Sequence, residues 1–590
     1  MMTVRSDEID SAHAGLVPQL RMMIGALWAS PLRNRLLALG AGVFVVIAAT
    51  AYAQIRLNSW NQPFYDALSH RDLRQFMQQL GVFGVIAGSL TVLNVAQRWL
   101  SEMMKLKLRE GLVQDLIQLW MQPRRAFRLA NSGVIGVNPD QRLHEDARHL
   151  TELSADLGIG LLQSSILLAM FIDVLWLLSS NFTFRSGAHH FTIPGYMVWA
   201  AVIYAGSASL LSYWVGRSLI PHNATRYARE ADLRFTLVRV SEHVDSISLA
   251  GGEKDEARRL ELDLASVLRA MRRLVSGLTN LTWVTAGYGW FTQVAPILVA
   301  APLYFAGSLS FGGLMMAAAA FNQVQSSLRW FVDNFSVIAD WRATLLRVAD
   351  FRRAVISTEA MHRVESRIEF SEGEPGRFDI RNLEIASDAG CTMLEERSVS
   401  IHAGERVMIL GEPGTGKTLL FRTLAGLWVW GAGQVVRPRG EEIVYLARTP
   451  YLPPGSLREV LAYPLSADHY GAREYEDALQ RMGLRRLVSL LKATRRWERE
   501  LTEDEQQSLA FARAALHAPA WLLVDEVLDA VDSDTLRRIS DFMSSDLKQT
   551  AIIYIGRSDV HRKLFPRTLH LVKDPTVRRL ARLHERKRGV

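Results

Sequence analysis

At 590 residues the chain exceeds what one hydrophobic core supports, so two or more domains are expected. Hydrophobic residues make up 49% of it, 15 residues are Trp, and the mean hydropathy is slightly positive. That suits neither an ordinary soluble enzyme nor a bare membrane bundle, and it fits a mixture of the two. The single cysteine, Cys391, excludes an intramolecular disulfide and a Cys-based metal cluster. The formal charge of +8 would suit a nucleic-acid partner only if the basic residues formed a binding face. No short apolar run ending in a small-residue cleavage site opens the sequence, so no removable signal peptide is expected.

In chain order, six apolar stretches come first: Leu36 to Ile55, Phe76 to Val95, Leu157 to Leu178, Tyr196 to Val215, Trp283 to Tyr304, and Gly312 to about Val332. Each approaches or exceeds the roughly 20 residues a helix needs to cross a hydrocarbon core. The last carries Asn322, Gln323, Gln325 and Arg329, so it is expected to line something wet or to pack on other helices. Basic residues concentrate between spans two and three (Lys105, Arg109, Arg124, Arg148 among them) and between spans four and five (Arg226, Arg239, Arg258, Arg273 among them). Basic loops stay cytoplasmic, so both termini are predicted inside. The positive charge is thereby read as topology, and no nucleic-acid partner is expected.

The predicted organisation is an N-terminal cytoplasmic segment over 1–35, a transmembrane domain over 36–350, a linker over 351–376 and a second domain over 377–590. The linker region is rich in Glu, Arg and Gly. Beyond it, short apolar runs at Arg406 to Leu410, Glu442 to Leu446, Trp521 to Val524 and Ala551 to Ile555 alternate with helical segments. That rhythm predicts an α/β domain with a largely parallel sheet.

The stretch Gly411 to Thr418 reads GEPGTGKT, with a strand before it and a helical run after it. This is the pattern of a phosphate-binding loop, in which backbone N–H groups close around phosphates at a helix N-terminus. Gly411, Gly414, Thr415, Gly416, Lys417, Thr418 and Leu419 are the expected ATP-binding residues. Lys417 would reach the outer phosphates, and the Thr418 hydroxyl would ligate Mg²⁺. About 110 residues further on, a buried apolar strand ends in Asp525 and Glu526. Asp525 is the second expected Mg²⁺ ligand, and Glu526 is placed to polarise an attacking water.

Through these motifs the C-terminal portion resembles an ABC transporter nucleotide-binding domain. The membrane part resembles the SbmA/BacA-type bacterial peptide transporters that carry a fused ATPase. The residues behind that likeness are Trp60 to Leu68 (WNQPFYDAL), Asn138 to Arg142 with Glu145 and Asp146, Arg229 to Arg239, Ala286 to Gly289, Trp330 to Asp333, and Tyr451 to Arg458 (YLPPGSLR). The resemblance implies a domain-swapped homodimer with six helices per subunit in the exporter-like fold. It also implies a multi-pass inner-membrane location and uptake of peptides or other hydrophilic solutes. Three departures stand out: Ala447 where relatives have a coupling-loop glutamine, Thr502 with Asp504 in the signature, and Arg557 at the switch histidine. In such dimers the signature closes over the partner's nucleotide, so Thr502 keeps a useful hydroxyl while Asp504 brings a carboxylate toward a polyanion. At ~4 Å and an effective dielectric of ~20 that repulsion is on the order of 4 kcal/mol, about a thousandfold in closure. ATP binding with slow or absent hydrolysis is therefore expected, with Glu526 and Arg557 as the catalytic pair. A proton gradient is the natural substitute, with Asp173, Glu230, Glu242 and Asp333 as candidate proton acceptors. A fully ATP-driven transporter, a lipid or hydrophobic-compound exporter, and a non-transporting nucleotide sensor are the alternatives.

Overall fold

The computed structural model describes residues 16–130, 139–180, 183–186, 189–357, 367–387, 390–557 and 559–574. Residues 1–15 of the expected N-terminal segment, 358–366 of the expected linker, and Asn138 lie outside them. The chain divides into two compact units, one of 1–122 with 134–355 and one of 123–133 with 356–590.

The first unit is helical. Its elements are α1 (Leu16–Ala29), α2 (Arg33–Ser69) and α3 (Leu73–Trp120); α4 (Arg125–Ala130) follows in the chain but belongs to the second unit. Then come α5 (Pro139–Ser179), α6 (Tyr196–Gly216), α7 (Leu219–Glu242), α8 (Val244–Leu249), α9 (Glu253–Phe305), α10 (Phe311–Asp333) and α11 (Phe335–Ser357). A two-stranded hairpin, β1 (Thr183–Ser186) with β2 (His189–Thr192), joins α5 to α6.

Among the described residues, four helical segments are long and apolar enough to cross a membrane: α2, α3, α5, and the run from Tyr196 to Glu242 that holds α6 and α7. The fifth and sixth expected spans lie within α9 and α10, which fall short of that criterion. In α10 the sequence itself supplies the reason, since amides, Arg329 and Asp333 break its apolar run. Large apolar side chains such as Phe44, Val85, Val92, Ile203, Leu210 and Trp290 stand exposed on these helices. In water such a surface is unfavourable, and in a bilayer it is the expected lipid-facing coat.

Two caps set the helix starts. Asp72 accepts from the Gln75 N–H at 3.0 Å, and Ser310 accepts from the Gly313 N–H at 3.0 Å. The Asp66 carboxylate reaches across from α2 to take the Ser310 hydroxyl at 2.8 Å and the Gly312 N–H at 2.7 Å. A Cβ on Gly312 would lie 2.0 Å from the Gln62 carbonyl, so only glycine allows this approach. From that pinned end α2 and α10 run alongside each other, and Ala51, Phe321 and Val324 share one buried cluster with Leu167, Phe171 and Leu175 of α5. The polar helix α7 packs along the start of α9, where Thr236 donates to Asp263 at 2.8 Å.

The second unit is built on a ten-stranded sheet. Its strands are β3 (Glu369–Gly373), β4 (Arg377–Ser387), β5 (Gly390–Leu394), β6 (Ser398–His402), β7 (Arg406–Gly411), β8 (Gly431–Pro438) and β9 (Ile443–Leu446), followed by β10 (Trp521–Asp525), β11 (Ala551–Gly556) and β12 (Arg567–Asp574). Residues 369–373, assigned from composition to the linker, are thus strand. Five neighbouring strands, in the order β12, β7, β11, β10, β9, are parallel. Beside them β4 pairs antiparallel with β5, β6 and β8, a region that the apolar rhythm alone did not separate from the parallel part. Strands β10 and β11 are buried throughout, as continuous apolar runs require when both faces are covered. The unit also holds α12 (Lys417–Leu424), α13 (Glu503–His517) and α14 (Ser533–Ser545). Residues 123–130 join it through α4, where the Arg422 guanidinium lies 5.8 Å from the Phe127 ring centroid.

Candidate functional site

Parallel strands deliver their C-terminal ends to one edge, and the order β7, β11, β10, β9 decides which loops meet there. The loop after β7 leads directly into α12, with Gly414 at φ +85° and Gly416 at φ +97°. A Cβ at Gly416 would sit 2.5 Å from the Thr392 hydroxyl, whereas one at Gly414 would meet nothing within 4 Å. Gly416 therefore serves the turn, and Gly414 faces open space beside α12's N-terminus, where phosphates bind. Thr392 anchors the loop by donating to the Thr415 carbonyl at 2.7 Å. The Lys417 ammonium, buried, donates to the Gly411 carbonyl at 2.8 Å. Leu419 packs its side chain into the hydrophobic cluster under the sheet, so only its backbone is available to a ligand.

Asp525 and Glu526 follow at the end of β10. Asp525 is 3% exposed, and its Oδ1 is buried without a protein hydrogen-bond partner. Burial, reinforced by the neighbouring Glu526, pushes its carboxyl up to about 6, against a hydrogen bond from Thr418 that works the other way. An orphaned carboxylate oxygen beside a threonine hydroxyl fits Mg²⁺, which would need both as ligands. Among the described residues no cluster of three His, Cys, Asp or Glu groups offers any other metal site.

Glu526 has φ +53°, a conformation costly for a residue with a side chain, held by its N–H bonding the Ile555 carbonyl at 2.8 Å. Arg557, next after β11, grips Oε2 through Nε at 2.9 Å and Nη2 at 2.8 Å. Lys417 lies 3.3 Å from Oε1. Burial by itself would raise the Glu526 carboxyl, but these two cations outweigh it and hold the group below the usual range. Arg557 is itself placed by its N–H, which donates to Asp529 at 2.9 Å; His561 lies 3.3 Å from the same carboxylate.

After β9 it is Arg448, not Ala447, that turns into the site. Its Nη1 is 3.9 Å from Glu526, while Ala447 packs against the core. β9 ends at Leu446, so Ala447 is the first residue beyond it and Arg448 the second. Gln507 of α13 donates to the Arg448 carbonyl and fixes its backbone. Neither Arg448 nor Gln507 was singled out from the sequence; the spacing of Arg448 from the preceding apolar strand was the available signal.

Thr502 caps α13, its hydroxyl accepting from the Glu505 N–H at 3.3 Å while Glu505 accepts from the Thr502 N–H at 3.2 Å. Glu503, Asp504 and Glu505 occupy the first turn, where a helix dipole favours carboxylates. The acidic signature thus has a local structural reason. The four proton-acceptor candidates do not converge. Asp173 is exposed on α5, Glu242 ends α7 exposed, Glu230 pairs with Arg226 at 3.6 Å, and Asp333 pairs with Arg329 at 3.2 Å.

A parallel sheet with a phosphate loop, an aspartate poised for Mg²⁺ and an adjacent glutamate defines a P-loop nucleotide-binding domain, here on one chain with a bundle of apolar helices. Comparison with known proteins gives the class its particular form. Residues 22–305 match the ABC transporter transmembrane region 2, and residues 394–529 match the ABC transporter model. The chain is an ABC transporter with transmembrane and ATP-binding domains fused, and such an ATPase domain implies ATP binding. It is 28% identical to an uncharacterized ABC transporter ATP-binding protein of Haemophilus influenzae, over 89% of this chain and 87% of that one. It is 24% identical to the inner membrane ABC transporter ATP-binding protein YddA of Escherichia coli, over 87% and 90%. The ABC transporter D family member 2, chloroplastic, of Arabidopsis thaliana is 25% identical over 88% of this chain and 80% of its own. These relatives are of the YddA and D-family kind, and they do not carry the narrower SbmA/BacA likeness.

Proposed function

We propose that this chain is one subunit of a homodimeric inner-membrane transporter that binds Mg²⁺-ATP, imports peptides or similar hydrophilic solutes, and hydrolyses ATP slowly or not at all. The observation that carries the last point is the grip of Arg557 on Glu526. A carboxylate whose lone pairs are taken by a guanidinium fork and an ammonium, and whose pKa is held down by them, is a poor acceptor for a water proton. Mg²⁺, held by Thr418 and Asp525, would supply charge neutralisation at the phosphates. Lys417 and the loop from Gly411 to Leu419 would orient them. Thr502 would act on the nucleotide of the partner subunit.

In this reading six helices per subunit cross the membrane, both termini are cytoplasmic, and residues 36–350, apart from the segment 123–133 that belongs to the ATPase unit, form the transport domain. A hydrophilic cargo is supported by the amides of α10, among them Gln325, which is 3% exposed with its Nε2 unpartnered. The proton gradient supplies the drive, through one or more of Asp173, Glu230, Glu242 and Asp333. One observation favours a second reading, export of a hydrophobic compound. A cavity of about 430 Å³ in the helical unit is lined almost wholly by apolar side chains, including Leu112, Leu157, Trp330 and Trp341.

The deciding experiment is ATP turnover by the purified protein in lipid nanodiscs beside Glu526→Gln, with flux of labelled peptide into proteoliposomes. Turnover equal to the Glu526→Gln control together with peptide flux is expected. Turnover well above that control refutes the impaired-hydrolysis reading, and absence of flux refutes peptide transport.

A further inference from the structure

The cavity of about 430 Å³ in the helical unit lies where α1, α3, α5, α10 and α11 meet. Its inner wall includes Leu112, Leu150 and Leu345, each 4% exposed or less. Its mouth includes Ile24, Leu161 and Phe331, each more than half exposed. A hydrocarbon-lined space thus opens through hydrocarbon. The two hydroxyls in the wall have already spent their protons: Thr151 donates to the Ala147 carbonyl at 3.0 Å, and Ser154 to the Leu150 carbonyl at 2.6 Å. The indole N–H of Trp341, also in the wall, is given to Ser154 at 2.9 Å. A buried water needs at least about two polar partners, so this wall holds water poorly.

An apolar cavity of about 150 Å³ stays dry and takes up a ring the size of benzene. At about 430 Å³ there is room for an extended chain, and an unfilled space would forfeit dispersion contacts along every wall. Gly158 also lines the cavity from within α5, yet a Cβ there would meet nothing within 4 Å. Glycine is a poor helix former, and here no neighbouring element presses close enough to require it. What it leaves is room for a guest.

The surroundings decide which guest. Gly158 and Leu161 begin the third expected span, while Trp330 and Phe331 end the last, so the mouth lies at the rim of the hydrocarbon. Beside it α1 carries exposed Val17 and Trp28 and leads into α2, the first membrane-length helix. In a membrane, what bathes such a mouth is acyl chain.

We infer that the cavity is a lipid site, in which one acyl chain of a bilayer phospholipid lodges against α1 and stays while the protein works. The chain ties α1 to α5 and α11 by filling the space their side chains leave. The same cavity is what favours export of a hydrophobic compound, and a resident chain accounts for it whatever the cargo. This site is independent of how ATP is used and of whether peptides are carried.

The test places the full-length protein in nanodiscs of phosphatidylcholine that carries a photoactivatable diazirine at the end of one acyl chain. Mass spectrometry is expected to find the label on Leu112, Leu150 or Leu345, as well as on the outward apolar faces of α3 and α6. Gly158→Leu, which sets a branched side chain in the open space, is expected to remove the inner labels and leave the outward ones. The same lipid with its diazirine on the headgroup is expected to miss the inner wall. Outward labels alone on the unaltered protein mean that a second copy of the chain, or nothing, fills the cavity, and they overturn the inference whether or not the variant folds. Inner labels that survive Gly158→Leu overturn it too. Transfer of labelled phosphatidylcholine between the leaflets of proteoliposomes separates a resident lipid from a carried one. Transfer by the unaltered protein that Gly158→Leu abolishes would make the lipid a cargo and overturn the inference, whereas no transfer beside inner labelling upholds it. Absence of peptide flux with the inner labels in place refutes the peptide reading alone.

Discussion

Replacing Asp525 by Asn separates the energetic effect of a buried carboxylate from its use as a metal ligand. The side chain is 3% exposed, one oxygen has no protein partner, and burial pushes its carboxyl from the ordinary 3.8 to about 6. A raised folded-state value means that the folded protein binds this proton more tightly than the unfolded chain does. Stability from this group is therefore full below about pH 4 and falls as pH rises through about 6. At about 1.4 kcal/mol per pKa unit, the gap between 3.8 and about 6 costs the nucleotide-free protein up to about 3 kcal/mol at pH 7.5. Asn, which is neutral at every pH, removes that cost. The expected gain is about 3 kcal/mol at pH 7.5, about 1.6 at pH 5 and near half a kcal/mol at pH 4. For a domain of about 200 residues this is a rise of roughly 6–12 °C in unfolding midpoint at pH 7.5. Thermal unfolding of the full-length protein in detergent without nucleotide, run from pH 4 to 8 for both forms, reads it directly. Equal midpoints throughout, or a gap that widens toward acid, would refute the assignment of a raised, buried carboxyl.

Further outcomes follow from other contacts. Gly416→Ala forces a Cβ into the left-handed region and 2.5 Å from the Thr392 hydroxyl, so it should cost at least about 1–3 kcal/mol and abolish nucleotide binding, read by calorimetry. Gly312→Ala drives a methyl to 2.0 Å from the Gln62 backbone; a cost of about 1–3 kcal/mol is expected in the helical unit, with nucleotide affinity unchanged. Lower heat stability in detergent beside normal ATP-analogue binding checks this. Asp173→Asn should flatten the dependence of peptide uptake on external pH; a profile like that of the unaltered protein removes Asp173 from any proton path.

Local, contiguous features were legible in the chain. The phosphate loop could be read because eight consecutive residues carry it, and β7 precedes it as the apolar run requires. The strands β10 and β11 were visible as short apolar runs because each is buried on both faces, and β9 as a short apolar run that is partly buried. Four membrane-length helices were visible as long, largely apolar runs. Features that depend on which parts of the chain become neighbours were not legible. The apolar rhythm gives the strands but not their pairing, so the antiparallel portion around β4 merged with the parallel one. The segment around α4 reads as a loop between two spans, yet it belongs with the ATPase unit because Phe127 and its neighbours pack there. The capping of α13 by Thr502 within its own chain was likewise not picked out from the sequence.

The sequence by itself determined that a membrane-length helical region precedes a P-loop domain, since hydrophobic length and a glycine-rich phosphate loop are written in consecutive residues. Only the tertiary structure decided the electrostatics of the nucleotide site. Lys417, Arg448, Glu526 and Arg557 are spread over about 140 residues, and they meet because the sheet places β7, β11, β10 and β9 side by side in an order the chain does not follow. Strand order is set by the packing of the whole sheet, so which cations meet on Glu526 could not be read along the line.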